Sequence, residues 1–255
     1  MIQVFRRALA AASDQGRVLR FWLRDDDATR PGPRLERLIS LCERHGVPPT
    51  LAVVPAGLDP ALGGLLTGDA RVALHGWSHR NHAGPREKKQ ELGPHRPAAE
   101  VLAELAEGRD LLGRVFPGRV LDLLVPPWNR IAPAVAEGLP GIGIRALSAY
   151  GRINARALPV LNADIDPIDW RARRSLRDPA LLWQKLALRA QIDRPIGILT
   201  HHLDHDEAVW QFLDLLMGMT AGPHCRWITP EEMMPDLLSK GVTSFSSRSA
   251  DRAGP

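Results

Sequence analysis

Short apolar runs alternate with longer amphipathic stretches along most of the chain. The runs lie at 18–23, 51–54, 72–74, 120–125, 142–147, 160–164, 196–200 and 226–228. Between them, apolar residues recur near every 3.6 positions, as at 34–45, 97–112, 179–191 and 207–219, which predicts helices. Asp178-Pro179 reads as an N-cap followed by proline at the first helical position, and Gly46 as a helix stop. Strands that alternate with helices pair in parallel through right-handed crossovers. A chain of 255 residues with 44% apolar content has the length and the core material for one α/β barrel. We expect one domain over residues 1–240 and a loose, polar tail over 241–255. The N-terminal segment reads as an amphipathic helix, since its apolar stretch is too short for a signal peptide.

The apolar runs also end alike, in residues that carry chemistry. Leu23 gives way to Arg24-Asp25-Asp26-Asp27, and Leu74 to His75. Val125 is followed by Pro126-Pro127-Trp128-Asn129-Arg130. Leu161 leads to Asn162, Asp164, Asp166 and Asp169, and Leu199 to Thr200-His201-His202. In a parallel barrel the C-terminal strand ends share one rim, where active sites form.

Three adjacent aspartates repel one another, and an ionised carboxylate is costly to bury unless it is paired or bound to metal. The alternative for Asp25–Asp27 is a solvated loop or helix cap. His75 and His79, four residues apart, can reach a common ion. His82 adds a third imidazole, either beside the site or simply exposed. The HExxH zinc signature is absent. A second candidate cluster is His202, Asp204 and His205, which nearly matches the H-x-H-x-D-H signature of metallo-β-lactamase-like hydrolases, with Thr200 at the first histidine position. No dinucleotide loop, phosphate-binding P-loop or nucleophile elbow occurs. The charged segment GPREKKQELGPHR is either a solvated loop or one side of a cleft, with Glu87, Glu91, His95 or Arg96 reading the substrate.

Taken in order over residues 18–205, these segments resemble the polysaccharide deacetylases, the NodB-homology or carbohydrate esterase family 4 group. That resemblance implies a distorted, often seven-stranded, β/α barrel. LRDDDA resembles the family's aspartate pair, which would make Asp25 the general base and Asp26 a metal ligand. HGWSH resembles H-[ST]-x-x-H and would make His75 and His79 the remaining ligands. VPPWNR resembles R-x-P-[FWY]-G through Pro127 and Trp128, with the oxyanion held near Trp128. DPIDW resembles D-x-x-D-W and places Asp169 and Trp170 beside the catalytic histidine. LTH resembles L-x-H, which places Leu199 and makes His201 the general acid. The chain departs from the pattern at Gly76, Asp27, Val125 and Asn129. Val125 stands where the family has the arginine that pairs with the base, so Arg24 or Arg130 would have to supply it. His202 competes with His201 as the acid.

By this resemblance the chain is a metal-dependent hydrolase of C–N bonds, a deacetylase acting on an N-acetylated sugar or small amide. The expected ion is Zn²⁺, with Mn²⁺, Co²⁺ or Fe²⁺ compatible with mixed nitrogen and oxygen ligation. A barrel that binds glycans without turnover is the alternative, motivated by Val125. The expected partner is a small-molecule or oligosaccharide substrate. The net charge of +4 is spread along the chain, which argues against a nucleic-acid stripe. Only two cysteines, Cys42 and Cys225, exclude a disulfide framework and fit a reducing, cytoplasmic location. No membrane span is expected.

Overall fold

The computed structural model describes residues 1–151 and 158–235. Helix α1 (Gln3–Asp14) precedes β1 (Leu19–Ala28), α2 (Pro33–His45), β2 (Pro49–Val53) and β3 (Arg71–Leu74). Then come α3 (Ala98–Val115), β4 (Val120–Leu124), α4 (Pro133–Gly138), β5 (Ala146–Tyr150) and β6 (Val160–Ala163). The described chain closes with α5 (Pro179–Arg189), β7 (Ile196–Thr200), α6 (Glu207–Met219) and β8 (Cys225–Trp227). Every apolar run read from the sequence contains a strand. The four helical stretches are also helices, with Asp178 capping α5 through the Ala180 N–H and Gly46 closing α2 at φ 63°. The tail expected over 241–255 lies outside the described residues.

All strand pairs are parallel, in the order β6-β5-β4-β3-β2-β1-β7, with β8 added to the start of β1. The sheet curls until its ends meet. Ile165 bridges Ile198, and the Asp164 and Ile165 N–H groups donate to the Gly197 carbonyl. A β-carbon on Gly197 would lie 2.6 Å from Trp22 Nε1 and 2.7 Å from Ala163 Cα, so only glycine fits at this seam. The result is the distorted seven-stranded α/β barrel that the resemblance implied, with helices outside.

The strand pleat explains why the runs read as continuously apolar. Phe21, Leu23, Leu51, Val53, Val72 and Leu74 belong to the large outer core under the helices. Their neighbours point inward, and many are small: Ala52, Ala73 and Ala146 fill one inner cluster. Trp22, Leu161, Ala163 and Leu199 fill the other. One boundary differs in a way that matters. β1 does not stop at Leu23 but runs on through Arg24 and the aspartates to Ala28, with a shift of register between Asp25 and Ala28. The run at 142–147 also differs: β5 begins only at Ala146, because 139–142 form a short 3-10 turn closed by Gly143 at φ 79°.

Candidate metal centre and active site

The three aspartates of β1 enter three different environments, because successive side chains of a strand point to opposite faces. Asp25 continues the outward series of Phe21 and Leu23. It is fully buried, and its Oδ1 accepts from Thr200 Oγ1 at 2.7 Å and the His202 N–H at 2.9 Å. Its Oδ2 pairs with His202 Nδ1 at 2.5 Å. Burial alone would raise the Asp25 pKa, but the His202 charge and hydrogen bond, with Thr200, hold it below the ordinary carboxylate value. Both oxygens of Asp25 are therefore spent, on the side of the strand away from the barrel interior.

Asp26 belongs to the inward series of Trp22 and Arg24. The Arg24 guanidinium grips it in a fork, Nε to Oδ1 at 2.8 Å and Nη2 to Oδ2 at 3.0 Å. Arg24 is wholly buried and reaches across the barrel to Ser148 Oγ on β5 at 2.5 Å. Val125, an apolar residue, makes no such pair. Arg130 does something else, donating to the Lys89 carbonyl.

Asp27 leaves the β region altogether, at φ 71°. That twist turns its carboxylate to His75 Nε2 at 3.2 Å and His79 Nε2 at 3.4 Å. Asp27, His75 and His79 offer donor atoms that all lie within 4.8 Å of one another. His75 Nδ1 lies 2.9 Å from the Val125 carbonyl oxygen, which can only accept, so in the neutral ring Nδ1 carries the proton and Nε2 has a free lone pair to offer a metal. Burial opposes charge on both imidazoles. For His75 the hydrogen bond to Asp27, the charges of Asp26 and Asp27 and the bond to Val125 outweigh it and raise the pKa, whereas His79 ends lowered. Burial would raise Asp27, and the histidines around it push it far down instead. One carboxylate and two imidazoles on a rim suit a divalent transition ion that keeps positions open for solvent and substrate. The donor set fits such an ion.

The side chains are grouped differently from the expectation. Asp26 is not the carboxylate grouped with the histidines; Asp27 is. Asp25 is not placed to take a proton from solvent; Asp26 occupies the inner rim. A signal was present: three acids in a row leave the choice of pair open, and taking Asp26-Asp27 leaves the small Ala28, rather than a third acid, after the pair.

His79 is held by a residue whose role the sequence did not reveal. Glu91 is 1% exposed. Its Oε1 accepts from the Trp77 and Ser78 N–H groups and Ser78 Oγ, and its Oε2 from the His79 N–H. A β-carbon on Gly76 would stand 2.0 Å from Glu91 Oε2 and 2.7 Å from Pro127 Cγ. Gly76 thus makes room for the carboxylate that ties the loop. Glu91 does not line the cleft, and Glu87 is occupied with His95 at 2.9 Å. His82 stays outside the metal group, half-exposed, its N–H on the Gln90 carbonyl.

His201 sits across from the histidine pair, its Nε2 3.9 Å from Asp26 Oδ2. The Trp170 ring meets it edge-on at 4.7 Å between centroids. Asp166, not Asp169, supports this arrangement: its Oδ2 accepts from Trp170 Nε1 at 2.7 Å and its Oδ1 from the Ile168 N–H. Burial raises the Asp166 pKa, with these bonds and His201 acting the other way. Asp169 instead caps a turn, accepting from the Arg171 and Ala172 N–H groups. Trp128, at φ 53°, packs its ring 4.3 Å from that of His79, over the buried Pro127. Leu199 is buried in the inner cluster, and its N–H closes the barrel on Ile165.

His202, Asp204 and His205 do not converge. His202 faces Asp25, Asp204 lies 3.6 Å from Arg174, and His205 Nε2 accepts from the His201 N–H. Burial pushes His205 down to about 4. The metallo-β-lactamase-like reading is not supported by this geometry. Among the described residues no helix is long and apolar enough to cross a membrane.

No family model matches the chain, and no curated protein matches it. Solved structures do. The peptidoglycan deacetylase PdaC from Bacillus subtilis aligns at TM-score 0.56 and 16% identity, covering 92% of this chain and 96% of that one. The polysaccharide deacetylase Bc1974 from Bacillus cereus aligns at 0.53 and 20%, covering 83% and 91%. A family 4 acetyl xylan esterase from Clostridium thermocellum, in complex with a cobalt ion, aligns at 0.56 and 12%, covering 85% and 90%.

Proposed function

We propose that this chain, which has the fold of the NodB-type, family 4 carbohydrate esterases, is a metal-dependent deacetylase of an N-acetylated sugar or small amide. The observation that carries the reading is convergence. Asp27, His75 and His79 gather at one point of the rim, with Asp26 and His201 beside them. A divalent ion held by those three residues supplies Lewis acidity to an amide carbonyl and to a water. Zinc is the first choice, and manganese, cobalt or iron also suits the donor set.

Asp26 accepts the proton of the attacking water. The buried fork of Arg24 keeps its carboxylate fixed in direction, so little reorganisation is needed when charge moves. His201 delivers a proton to the departing amine nitrogen, which leaves poorly as an anion. Its distance from Asp26 allows both groups to reach one small reacting centre. Trp170, held by Asp166, walls the imidazole and limits its rotation. Trp128 walls the opposite side next to His79 and brings its backbone N–H towards the developing oxyanion. A cytoplasmic setting accompanies this reading, supported by the free thiols of Cys42 and Cys225.

The glycan-binding alternative drew on Val125; in the present reading the Arg24 guanidinium pairs with Asp26 in its place. The test is acetate release from N-acetylated chito-oligosaccharides by zinc- or cobalt-loaded protein. Turnover that disappears in Asp26→Asn while the metal stays bound supports the proposal. Full metal loading with no acetate released from N-acetylated sugars or small amides refutes it.

A further inference from the structure

Among the described residues, five non-glycine residues hold φ in the left-handed region: Asp27, His79, Trp128, Asn129 and Arg174. The first two belong to the metal group, and Trp128 and Asn129 form the neighbouring wall. Arg174 is the exception, assigned no part so far. Long side chains avoid this conformation, where a glycine or asparagine would sit without the same clash. Such backbone is characteristic of segments shaped for function.

The turn that carries Arg174 is closed on itself. Asp169 N–H donates to the Ser175 carbonyl, Arg174 N–H to the Asp169 carbonyl, and the Asp169 carboxylate caps Arg171 and Ala172. Its sequence from Arg171 to Arg177, RARRSLR, holds four arginines and no acid. Arg171, Arg173 and Arg174 are exposed, and among the described residues Arg171 and Arg173 have no ion-pair partner. The Arg174 guanidinium lies 5.5 Å from the centre of the Trp170 ring, whose edge contacts His201. One indole therefore separates it from the proposed general acid. Its only carboxylate neighbour among the described residues is Asp204, at 3.6 Å and with the Arg174 side chain 67% exposed, which leaves much of the guanidinium fork open. A planar guanidinium matches the paired oxygens of a carboxylate or phosphate.

We propose that Arg174, aided by Arg171 and Arg173, binds an anionic group on the substrate next to the unit being deacetylated, so that the site selects acidic oligosaccharides over neutral ones. This rests on the deacetylase reading for the place of the reacting unit, but its test does not depend on turnover.

The experiment is titration calorimetry on the full chain with three probes. One is a heparosan tetrasaccharide of alternating glucuronate and N-acetylglucosamine, one is UDP-N-acetylglucosamine, and one is neutral chitotetraose. The first two distinguish carboxylate from phosphate as the anion. The wild type should bind at least one anionic probe about tenfold more tightly than chitotetraose, as expected of a charge-assisted fork. Arg174→Ala should remove that preference and leave chitotetraose binding unchanged. Arg174→Lys should restore part of it, and Arg171→Ala should cause a smaller loss. Equal affinity for charged and neutral probes overturns the proposal. So does an Arg174→Ala protein weakened equally for both, the result expected if the residue only ties the turn to Asp204. A single-stranded DNA oligonucleotide that binds as tightly as the glycan, with the same Arg174 dependence, overturns it in favour of an unselective polyanion surface. Acetate release without charge preference sinks this inference alone. Charge preference without acetate release leaves it standing and counts against the deacetylase.

Discussion

Two aspartate–histidine clusters sit back to back on β1, built from the same residue types one peptide apart. Asp25 and His202 face outward, sealed under the helices, and the carboxylate is satisfied by Thr200, the His202 N–H and the His202 ring. Asp26, Asp27, His75, His79 and His201 gather at the inner rim, where Asp27 is half-buried and His201 keeps a buried Nδ1 without a protein partner. The first arrangement has no capacity left for a ligand, so its charges serve to hold β1 against the turn after β7. The second leaves donor atoms aimed at a common point. What separates structure from chemistry here is not the residue type but which side of the pleat it falls on.

If that division is right, the two clusters respond differently to the same substitution. Asp26→Asn should lower acetate release by about 10²–10⁴-fold, the usual worth of a positioned proton acceptor, with bound metal unchanged. Asp25→Asn should do the reverse. Breaking a buried pair costs about 3–5 kcal/mol, seen as a lower denaturation midpoint, while the folded fraction keeps its turnover. Parallel denaturation curves and acetate assays on both proteins check the contrast, and equal loss of activity in the two would dissolve it.

The support beneath the rim should give a smaller effect. Glu91→Gln keeps the shape but weakens four acceptor contacts to residues 77–79. Metal affinity should fall about 10–100-fold, as for other residues that orient ligands, measured by competition with a chelator. Gly76→Ala should do the same through collision with that carboxylate.

The smallest effect is the pH dependence that the sealed pair contributes. Burial opposes charge on His202, and Asp25 outweighs it, so the His202 pKa is raised while that of Asp25 is lowered. The lowered acid stabilises the fold above the ordinary carboxylate pKa and loses that contribution as pH falls through its own value. The raised histidine stabilises below the ordinary imidazole pKa and loses that contribution as pH rises through its own. Both are fully present only between about pH 4 and about pH 6.5. The wild-type Tm should therefore fall as pH rises above about 6.5, and His202→Gln should make that slope shallower, the raised His75 supplying the rest. Parallel slopes in the two proteins would show that the pair is not what titrates.

Most of the barrel was legible in the sequence because strands buried on both faces leave compact apolar runs, and the rim was legible because each run ends in polar residues. Choosing among three adjacent aspartates was not. A shift of one position exchanges inner and outer faces, and the apolar pattern of β1 ends at Leu23 although the strand continues, with a shift of register, to Ala28. The setting of Asp27 depends on His75 and His79, far along the chain, and the choice of Asp166 over Asp169 depends on the loop path that turns Trp170 onto His201. Glu91 was visible as a charge in a polar segment, but its partners fourteen to twelve residues earlier follow from a loop path that only the folded chain fixes.

The most direct test of the account is metal content by elemental analysis of Asp25→Ala, Asp26→Ala and Asp27→Ala proteins, each loaded with zinc and desalted at equal folded concentration. The account expects Asp27→Ala to lose its ion, Asp26→Ala to keep it while inactive, and Asp25→Ala to keep it in whatever fraction folds. Metal retained by Asp27→Ala but lost from Asp26→Ala would contradict it.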